Sequence, residues 1–346
     1  MDYRSFGRTG VKVSALCLGT MNFGGRTDEK DSATIINHAL DAGINFVDTA
    51  NVYGHDPADF DIGRGRSEEI IGRTLKQNGK RSRVVLATKA HFPMRDDPNA
   101  QGSGRRHLIE QCEASLRRLQ TDVIDLYQLH HPTNDVPVDE TLRALDDLIR
   151  AGKVRYIGTS SFAAWQIVES VWVSKEWGLN RFVCEQPVYN LLDRRVEREL
   201  IPMAQTYGLA IIPWSPMAGG LLTGRYRRGQ TPPPDSRYDS FWQRPDYLTD
   251  AVFDVLDVVE ALAAEKDCTP TQIALRWCLD QPGITSPIIG PRTLSHLQNN
   301  LDTLDITLSA EDHQRLDAIA PPGQMTVPFY GHDGFTWTTW GPHRYR

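Results

Sequence analysis

Residues 44–54 read Ile44-Asn-Phe-Val-Asp48-Thr-Ala-Asn-Val-Tyr53-Gly54. The apolar run that opens this stretch predicts a buried strand, and Asp48 stands where that strand ends. Tyr53 follows in a loop that closes at a glycine. The carboxyl ends of strands are where α/β folds keep their functional side chains, so Asp48 and Tyr53 are candidate site residues. An isolated acid after a strand is also typical of a helix cap or a turn, and the remaining strands have to distinguish the two interpretations.

Strand-like and helical segments alternate along the rest of the chain. Apolar runs predict eight strands, at residues 15–19, 44–49, 84–89, 123–130, 154–160, 182–186, 210–215 and 286–290. Helical patterns stand between them at residues 30–42, 67–77, 104–119, 138–151, 164–177, 196–207, 251–266 and 271–279, and the segments 294–301 and 310–319 follow the last strand. Gly152 and Gly208 each follow a helix, where a left-handed cap residue is expected. This alternation predicts parallel strands joined by right-handed crossovers.

The number and length of these units predict a closed (β/α)8 barrel of the TIM type rather than an open sheet. The first strand is followed by Gly19-Thr-Met-Asn-Phe-Gly-Gly25, which lacks the Gly-x-Gly-x-x-Gly pattern of dinucleotide-binding open sheets. Alternation of polar and apolar residues around Gly7-Arg-Thr-Gly10 predicts an N-terminal β-hairpin. We therefore predict a single domain over residues 1–346, with the hairpin at 1–15, the barrel at 16–320 and an aromatic-rich tail at 321–346.

The composition limits the classes of partner. The chain has 346 residues, of which 40% are hydrophobic, and a formal net charge of −6. This mild acidity gives no footprint for nucleic acid or an anionic membrane. No apolar run reaches the roughly 18 residues of a membrane span, the amino terminus has no apolar signal core, and the five cysteines form no Cys-x-x-Cys pair. We expect a cytoplasmic protein that acts on a small molecule, with no nucleic-acid or membrane partner, and the sequence leaves a homo-oligomer open.

Two further strand ends carry chemistry. Lys89 ends the third predicted strand and His130 ends the fourth. A lysine that finishes an apolar strand is costly unless it is paired, and Asp48 is the expected partner. A buried ammonium group near a phenol stabilises the phenolate and lowers the pKa of the tyrosine, so Tyr53 could exchange a proton near neutral pH. With His130 to orient and polarise a carbonyl oxygen, the four side chains predict a proton donor for carbonyl reduction, which needs a separate hydride source.

Five motifs carry a resemblance to a known family. They are Gly-Ile-Asn-Phe-Val-Asp-Thr-Ala-Asn-Val-Tyr-Gly at 43–54, Ala-Thr-Lys at 87–89, Ile-Asp-Leu-Tyr-Gln-Leu-His at 124–130, Gly-Thr-Ser-Ser-Phe at 158–162 and Pro-Trp-Ser-Pro-Met-Ala-Gly-Gly at 213–220. From Phe6 to about Ile319 the chain resembles the aldo-keto reductases, and most of all the branch with bacterial sugar and aldehyde reductases and relatives of potassium-channel β-subunits. The resemblance implies a (β/α)8 barrel that uses NADPH without a Rossmann domain.

The same resemblance implies the catalytic residues and the activity. Asp48, Tyr53, Lys89 and His130 match the catalytic tetrad of the family. His131 is the rival for the histidine role; the family spacing favours His130, and alternation along a strand points the two side chains in opposite directions. The implied activity is NADPH-dependent reduction of an aldehyde or ketone to the alcohol, with a sugar, a hydroxy-aldehyde or a small aromatic carbonyl as substrate.

A cofactor site is implied at the ends of several strands. Ser160, Ser161 and Gln186 match the residues that hold the nicotinamide carboxamide, although Ser161 stands where the family has asparagine. Trp214 matches the aromatic residue that stacks on the nicotinamide. The other implied cofactor residues are Gly19, Thr20, Met21, Asp48, Ser215, Pro216, Met217, Ala218, Gly219, Arg225, Arg237, Gly290, Pro291, Arg292, His296, Asn299 and Asn300. Arg292 stands beside a helix start that attracts phosphate, so we expect it to bind the 2′-phosphate, with a solvated loop arginine as the alternative.

Substrate contacts are expected from barrel loops and from the tail. The candidate residues are Asn22, Phe23, His55, Phe92, His131 and Trp242, with Met21 beside them. The tail contains Phe329, Tyr330, Phe335, Trp337, Trp340 and Tyr345. A disordered tail should be poor in aromatic residues, so we expect this one to cover the substrate site, with the side of the barrel or a subunit contact as the alternatives.

Two other functions stay open at this stage. The first is a non-catalytic NADPH-binding subunit that reports redox state to a partner; retention of the whole tetrad argues against it. The second is a metal-dependent barrel hydrolase. Its candidate ligands are His55, Asp56, Asp59, Asp61, His130 and His131. The acids fall in a polar loop, which is typical of a solvated segment, so we expect no metal site.

Overall fold

The N-terminal hairpin closes one end of the molecule. The computed structural model describes residues 1–54, 65–133, 135–234, 236 and 247–327. The predicted hairpin is confirmed, because β1 (Tyr3–Ser5) pairs antiparallel with β2 (Lys12–Ser14). Phe6 follows β1 and is buried, with its ring centroid 5.5 Å from that of Phe46 inside the main sheet. The hairpin therefore covers the amino-terminal end of that sheet.

The main sheet contains eight parallel strands. They are β3 (Cys17–Gly19), β4 (Phe46–Asp48), β5 (Val85–Ala90), β6 (Ile124–Leu129), β7 (Val154–Ser160), β8 (Phe182–Gln186), β9 (Ala210–Ile211) and β10 (Ile288–Ile289). The strands pair in chain order from β3 to β9, and β10 pairs with β3. The N–H of Thr285 donates to the carbonyl of Ile211 and the N–H of Ile288 to that of Pro213, each at 2.8 Å. These bonds join the two ends of the sheet, which confirms the predicted (β/α)8 barrel.

Helices surround the sheet. In the described part of the chain they are α1 (Glu29–Asp41), α2 (Arg66–Asn78), α3 (Arg105–Leu119), α4 (Val138–Arg150), α5 (Ala164–Trp177), α6 (Leu200–Tyr207), α7 (Asp250–Glu265), α8 (Pro270–Asp280), α9 (Leu294–Leu301) and α10 (Ala310–Ile319). None of these helices is both long and apolar enough to cross a bilayer. The predicted helix at 196–207 is divided, because a 3₁₀ turn (Arg195–Glu197) precedes α6.

Local sequence explains where several elements begin and end. The Thr269 hydroxyl accepts from the N–H of Gln272, whose side chain bonds back to the N–H of Thr269, so this capping box starts α8. Gly152 and Gly208 follow their helices with φ values of 73° and 68°, the left-handed conformation that glycine adopts without strain. β9 is shorter than the predicted strand at 210–215 because Pro213 has no N–H for a strand ladder.

The barrel interior has two layers of different polarity. Phe46, Leu126, Cys184 and Ile288 belong to an apolar layer next to the hairpin. Side chains two residues further along a strand point the same way, so the next layer is built from the following inward positions. Its members are buried and polar: Asp48 on β4, Lys89 on β5, Gln128 on β6 and Gln186 on β8. The apolar layer thus supports a polar floor at the carboxyl ends of the strands.

Candidate active site

Asp48 and Lys89 form a buried ion pair at the ends of neighbouring strands. Nζ of Lys89 lies 2.5 Å from Oδ2 of Asp48 and donates to the carbonyl of Thr49 at 2.8 Å. Burial alone would lower the pKa of Lys89, but the charge of Asp48 and interactions with Tyr53 more than offset it, so the pKa of Lys89 lies above its ordinary value. Lys89 is therefore held as a charged ammonium inside the barrel.

Tyr53 meets this ion pair from the loop after β4. Its ring centroid is 5.0 Å from Nζ of Lys89, and the two side chains also share a hydrogen bond that raises the pKa of Lys89. The Tyr53 hydroxyl lies 3.4 Å from Nε2 of His130. The loop is fixed by the N–H of Asn51, which donates to the carbonyl of Lys89 at 3.0 Å. The phenol hydroxyl therefore has an ammonium group and an imidazole within reach.

His130 is a neutral imidazole. Burial, then the charge of Lys89, then His91 and His131 hold the pKa of His130 well below its ordinary value. Its Nδ1 has no hydrogen-bond partner among the described residues. His131, the rival in the sequence, lies beside another histidine: its ring centroid is 5.6 Å from that of His91. The structure thus brings His130 to the tyrosine and turns His131 towards a different histidine.

Gln128 belongs to the same network, although it was not among the residues predicted for the site. Its Nε2 donates to Oδ1 of Asp48 at 3.0 Å, as does Nε2 of Gln186. Gln186 also donates to Oε1 of Gln128 at 3.1 Å. The signal was present in the alternation of β6, because a polar residue two positions before His130 has to point into the barrel as well.

The residues proposed for the carboxamide end lie beside this network. Ser160 donates to the carbonyl of Gln186 at 3.0 Å. Ser161, which replaces the asparagine that the resemblance implies, has a left-handed φ of 62°. The carboxyl of buried Glu185 holds this turn by accepting hydrogen bonds, among them one from the N–H of Phe162 at 3.0 Å. Burial raises the pKa of Glu185 to about 8, against these hydrogen bonds, which lower it.

A sharply turned loop follows β9 and leads to the candidate phosphate region. Trp214 is partly buried against the core, and its backbone N–H donates to the carbonyl of Pro187 at 2.9 Å. Ser215 and Ala218 both have φ values of 52°, and Gly219 has 64°. Turns with left-handed residues direct successive N–H groups into a concavity that suits anions. Pro216 and Met217 lie between these residues in the same turn.

Positive charge gathers at the start of α9. The Thr293 hydroxyl caps the helix by accepting from the N–H of His296 at 3.2 Å. Burial, followed by the nearby charges of Arg292 and Arg225, lowers the pKa of His296. Two arginines therefore stand close to one helix start, where unpaired N–H groups and the helix dipole also favour an anion.

Other predicted cofactor residues support this region. Asn22 donates to the carbonyl of Gly290 at 3.1 Å, next to Pro291. Asn300 is buried, whereas the side chain of Asn299 accepts from Thr269, the cap of α8, at 3.0 Å. Gly19 and Thr20 are buried beside Asp48, and Thr20 donates to its backbone carbonyl at 3.0 Å. Arg237 lies outside the described residues.

The predicted substrate residues divide into two groups. Phe92 lies edge-on to His130, with ring centroids 4.9 Å apart, and packs with Met21 and Met94 against the cluster of Tyr53. Phe23 is fully buried among core residues between the sheet and the helices, so the structure corrects the expectation that it lines a pocket. Asn22 bonds to the Gly290 carbonyl, beside the residues predicted for the cofactor. His55 and Trp242 lie outside the described residues.

The metal hypothesis gains no geometric support from the described ranges. In them no three His, Cys, Asp or Glu side chains come together as a set of metal ligands. His130 is engaged with Tyr53 and His131 with His91, as described above. The remaining candidates, His55, Asp56, Asp59 and Asp61, lie outside the described residues, as do the tail aromatics beyond Val327.

Comparison with known proteins shows which family the chain belongs to. Residues 15–321 match the model of the aldo/keto reductase family. The chain is 40% identical to an uncharacterised oxidoreductase, YrpG, from Bacillus subtilis, over 95% of this chain and 99% of that protein. It is 36% identical to a probable voltage-gated potassium channel subunit beta from Oryza sativa, over 92% and 96% of the two chains. It is 31% identical to the L-glyceraldehyde 3-phosphate reductase of Escherichia coli, over 94% of each chain. The chain therefore belongs to the aldo/keto reductase family.

Proposed function

We propose that this protein reduces an aldehyde or ketone to the alcohol with NADPH, and that Tyr53 supplies the proton. The observation that carries the proposal is the position of the Tyr53 hydroxyl, 3.4 Å from a neutral imidazole and beside a buried ammonium group. Burying the charged side chains of Lys89 and Asp48 costs free energy. A structural role alone does not explain that cost, because a buried lysine and carboxylate are seldom more stabilising than apolar residues of the same size.

The residues that end or follow β7, β8, β9 and β10 fit the parts of an NADPH molecule. Ser160, Gln186 and Trp214 would hold the nicotinamide end, and the turn at 215–219 would hold the pyrophosphate. Arg225 and Arg292, whose charges lower the pKa of His296, would bind the 2′-phosphate at the start of α9. When bound, NADPH supplies the hydride that reduces the carbonyl carbon.

Each of the four tetrad side chains has a separate role at the carbonyl oxygen. Tyr53 donates its hydroxyl proton to the oxygen as negative charge develops there. The ammonium group of Lys89 stabilises the resulting phenolate, and Asp48 keeps Lys89 charged. His130, as a neutral ring, orients the oxygen without adding charge or competing as an acid. Such fixed groups act more strongly in a site from which water is excluded.

The substrate class stays broad in this proposal. A sugar, a hydroxy-aldehyde and a small aromatic carbonyl all suit a wall of Phe92, Met21 and the neutral ring of His130. The Escherichia coli relative is named for an aldehyde of the hydroxy-aldehyde class, which supports testing that class first. We expect the protein to act in the cytoplasm on a small molecule, alone or as a homo-oligomer.

A non-catalytic, NADPH-binding redox sensor is the second candidate, because the rice relative is named as a channel subunit. One assay separates the two candidates. The purified protein is mixed with NADPH and a panel of glyceraldehyde, glyceraldehyde 3-phosphate, a ketose and 4-nitrobenzaldehyde, and loss of NADPH absorbance is followed. A reductase consumes NADPH in proportion to the alcohol formed. Tight NADPH binding without turnover on any carbonyl of the panel would favour the sensor.

A further inference from the structure

The polar floor of the barrel contains a closed ring of hydrogen bonds around one carboxylate oxygen. Oδ1 of Asp48 accepts from Nε2 of Gln128 and from Nε2 of Gln186, each at 3.0 Å. The third side is the bond from Nε2 of Gln186 to Oε1 of Gln128, at 3.1 Å. Gln128 is fully buried, and Asp48 and Gln186 are only 2% and 3% exposed. Buried polar groups at this depth have to satisfy one another.

The ring permits one orientation of each amide. If Gln186 turned over, its Oε1 would face Oδ1 of Asp48 and Oε1 of Gln128, and neither of those atoms carries a proton. If Gln128 turned over, its Oε1 would face the same carboxylate and its amino group would face that of Gln186. Both reversals place like groups against each other in a buried site, where the cost of an unmade hydrogen bond is largest.

The ring fixes the orientation of the Gln186 amide. Its amino group is directed into the barrel by two acceptors, which leaves Oε1 for a ligand at the rim. An acceptor there suits the amino group of the nicotinamide carboxamide. We propose that Gln128 is a positioning residue, which fixes the amide of Gln186 so that Oε1 faces the carboxamide. Because Gln128 also bonds to Asp48, it connects the carboxamide contact with the catalytic carboxylate. This inference rests on the NADPH-binding function proposed above.

The neighbouring strands leave space for the side chain of Gln128 inside the barrel. In the sheet register it lies beside Lys89 on β5 and Gly158 on β7. A Cβ atom at Gly158 would lie 3.3 Å from Cγ of Gln128 and would also collide with the sulfur of Cys184. The glycine therefore leaves space on the side that faces β8, and Gln128 crosses it to reach Gln186.

The test compares two ligands on the purified apoprotein by titration calorimetry. NADP⁺ carries the carboxamide, whereas 2′,5′-ADP contains only the adenosine end and its phosphates. Gln128→Met keeps the size of the side chain and removes the hydrogen bonds. We expect it to weaken NADP⁺ about 3- to 10-fold, the equivalent of one hydrogen bond, and to leave 2′,5′-ADP unchanged. In turnover, KM for NADPH should rise more than kcat falls.

A double-mutant comparison shows whether Gln128 acts through Gln186. Gln186→Met should weaken NADP⁺ to a similar extent, and the double variant should lose less than the product of the two single losses, because both substitutions remove one contact. Gln111→Met is the matched control, since Gln111 is a buried glutamine that bonds to Asn51 outside the ring. It should leave both ligands unaffected. If Gln128→Met does not fold, Gln128→Asn shortens the reach of the amide and should give the same selective loss.

Three results would separate failure of this inference from failure of the proposed function. Equal weakening of NADP⁺ and 2′,5′-ADP would overturn the inference, because a general disturbance of the barrel would then explain the loss. Fully multiplicative effects in the double variant would overturn it too. If the unaltered protein bound neither NADP⁺ nor NADPH, the proposed function itself would be wrong, whatever the variants did.

Discussion

Nζ of Lys89 lies 2.5 Å from Oδ2 of Asp48, with both side chains buried at the ends of neighbouring strands. Removing one partner of such a pair leaves an uncompensated buried charge. Lys89→Met should therefore lower the free energy of unfolding by about 3–5 kcal/mol in urea denaturation. Asp48→Asn combined with Lys89→Met should recover much of that loss and remain inactive. A double variant as unstable as Lys89→Met would show that the charge of Asp48 is not the cause.

Arg292 should determine the preference for NADPH over NADH. Its charge reaches His296 at the start of α9, as does that of Arg225. Arg292→Ala should weaken NADPH by about 1.5–3 kcal/mol, the scale of a charge-assisted hydrogen bond, and leave NADH nearly unaffected. Arg227→Ala is the control, because Arg227 pairs with Glu260 and should change neither affinity. Equal losses for the two cofactors would show that Arg292 does not recognise the 2′-phosphate.

Glu185 should make stability depend on pH. Burial raises its folded-state pKa to about 8, from an ordinary value of 4.5. The folded protein therefore keeps a proton that the unfolded chain loses, and this stabilising contribution, complete below pH 4.5, disappears as the pH rises through about 8. Glu185→Gln resembles the protonated form. Relative to Glu185→Gln, the free energy of unfolding of the unaltered protein should fall by up to about 1.4 kcal/mol per pH unit between pH 4.5 and about 8. If urea denaturation gave a difference in free energy of unfolding between the two proteins that did not change with pH, the raised pKa of Glu185 would be refuted.

The tail beyond Val327 should influence the substrate site or the assembly. The described chain leads there from Thr326, whose N–H donates to the carbonyl of Leu192 at 2.8 Å, in the loop after β8. Deletion of residues 328–346 should alter KM and kcat for carbonyl substrates if the tail covers the site, with NADPH affinity and molecular mass unchanged. A smaller assembly would indicate a subunit contact. Unchanged kinetics and mass would contradict both roles.

The sequence predicted the barrel because its alternating strands and helices leave few other arrangements. The ion pair of Asp48 and Lys89 followed from the cost of a charged residue at the end of an apolar strand. Gln128 was missed because an uncharged polar residue within an apolar strand is a weak signal until the strand's inward face is known. Phe23 was misplaced for a related reason: its run, Met21-Asn-Phe23, gives no periodicity that separates a core contact from a pocket wall.

Tertiary effects also set details that no local pattern carries. The 3₁₀ turn that precedes α6 accommodates the ion pair of Arg194 and Glu197, whose side chains are 2.7 Å apart. Arg194 also reaches Asp317 on α10 at 2.6 Å. Partners so distant in sequence leave no periodic trace, so the interruption could not be predicted from residues 196–207 alone.

Tyr53→Phe is the sharpest test of Tyr53 as the proton donor, because it removes one hydroxyl and keeps the ring that packs beside Lys89 and His130. The measurement is kcat for the best carbonyl substrate together with the dissociation constant of NADPH, for both proteins. We predict a loss of roughly 10²-fold or more in kcat, the usual range for a general acid, with NADPH binding little changed. Turnover equal to that of the unaltered protein would contradict the assignment of Tyr53 as the proton donor.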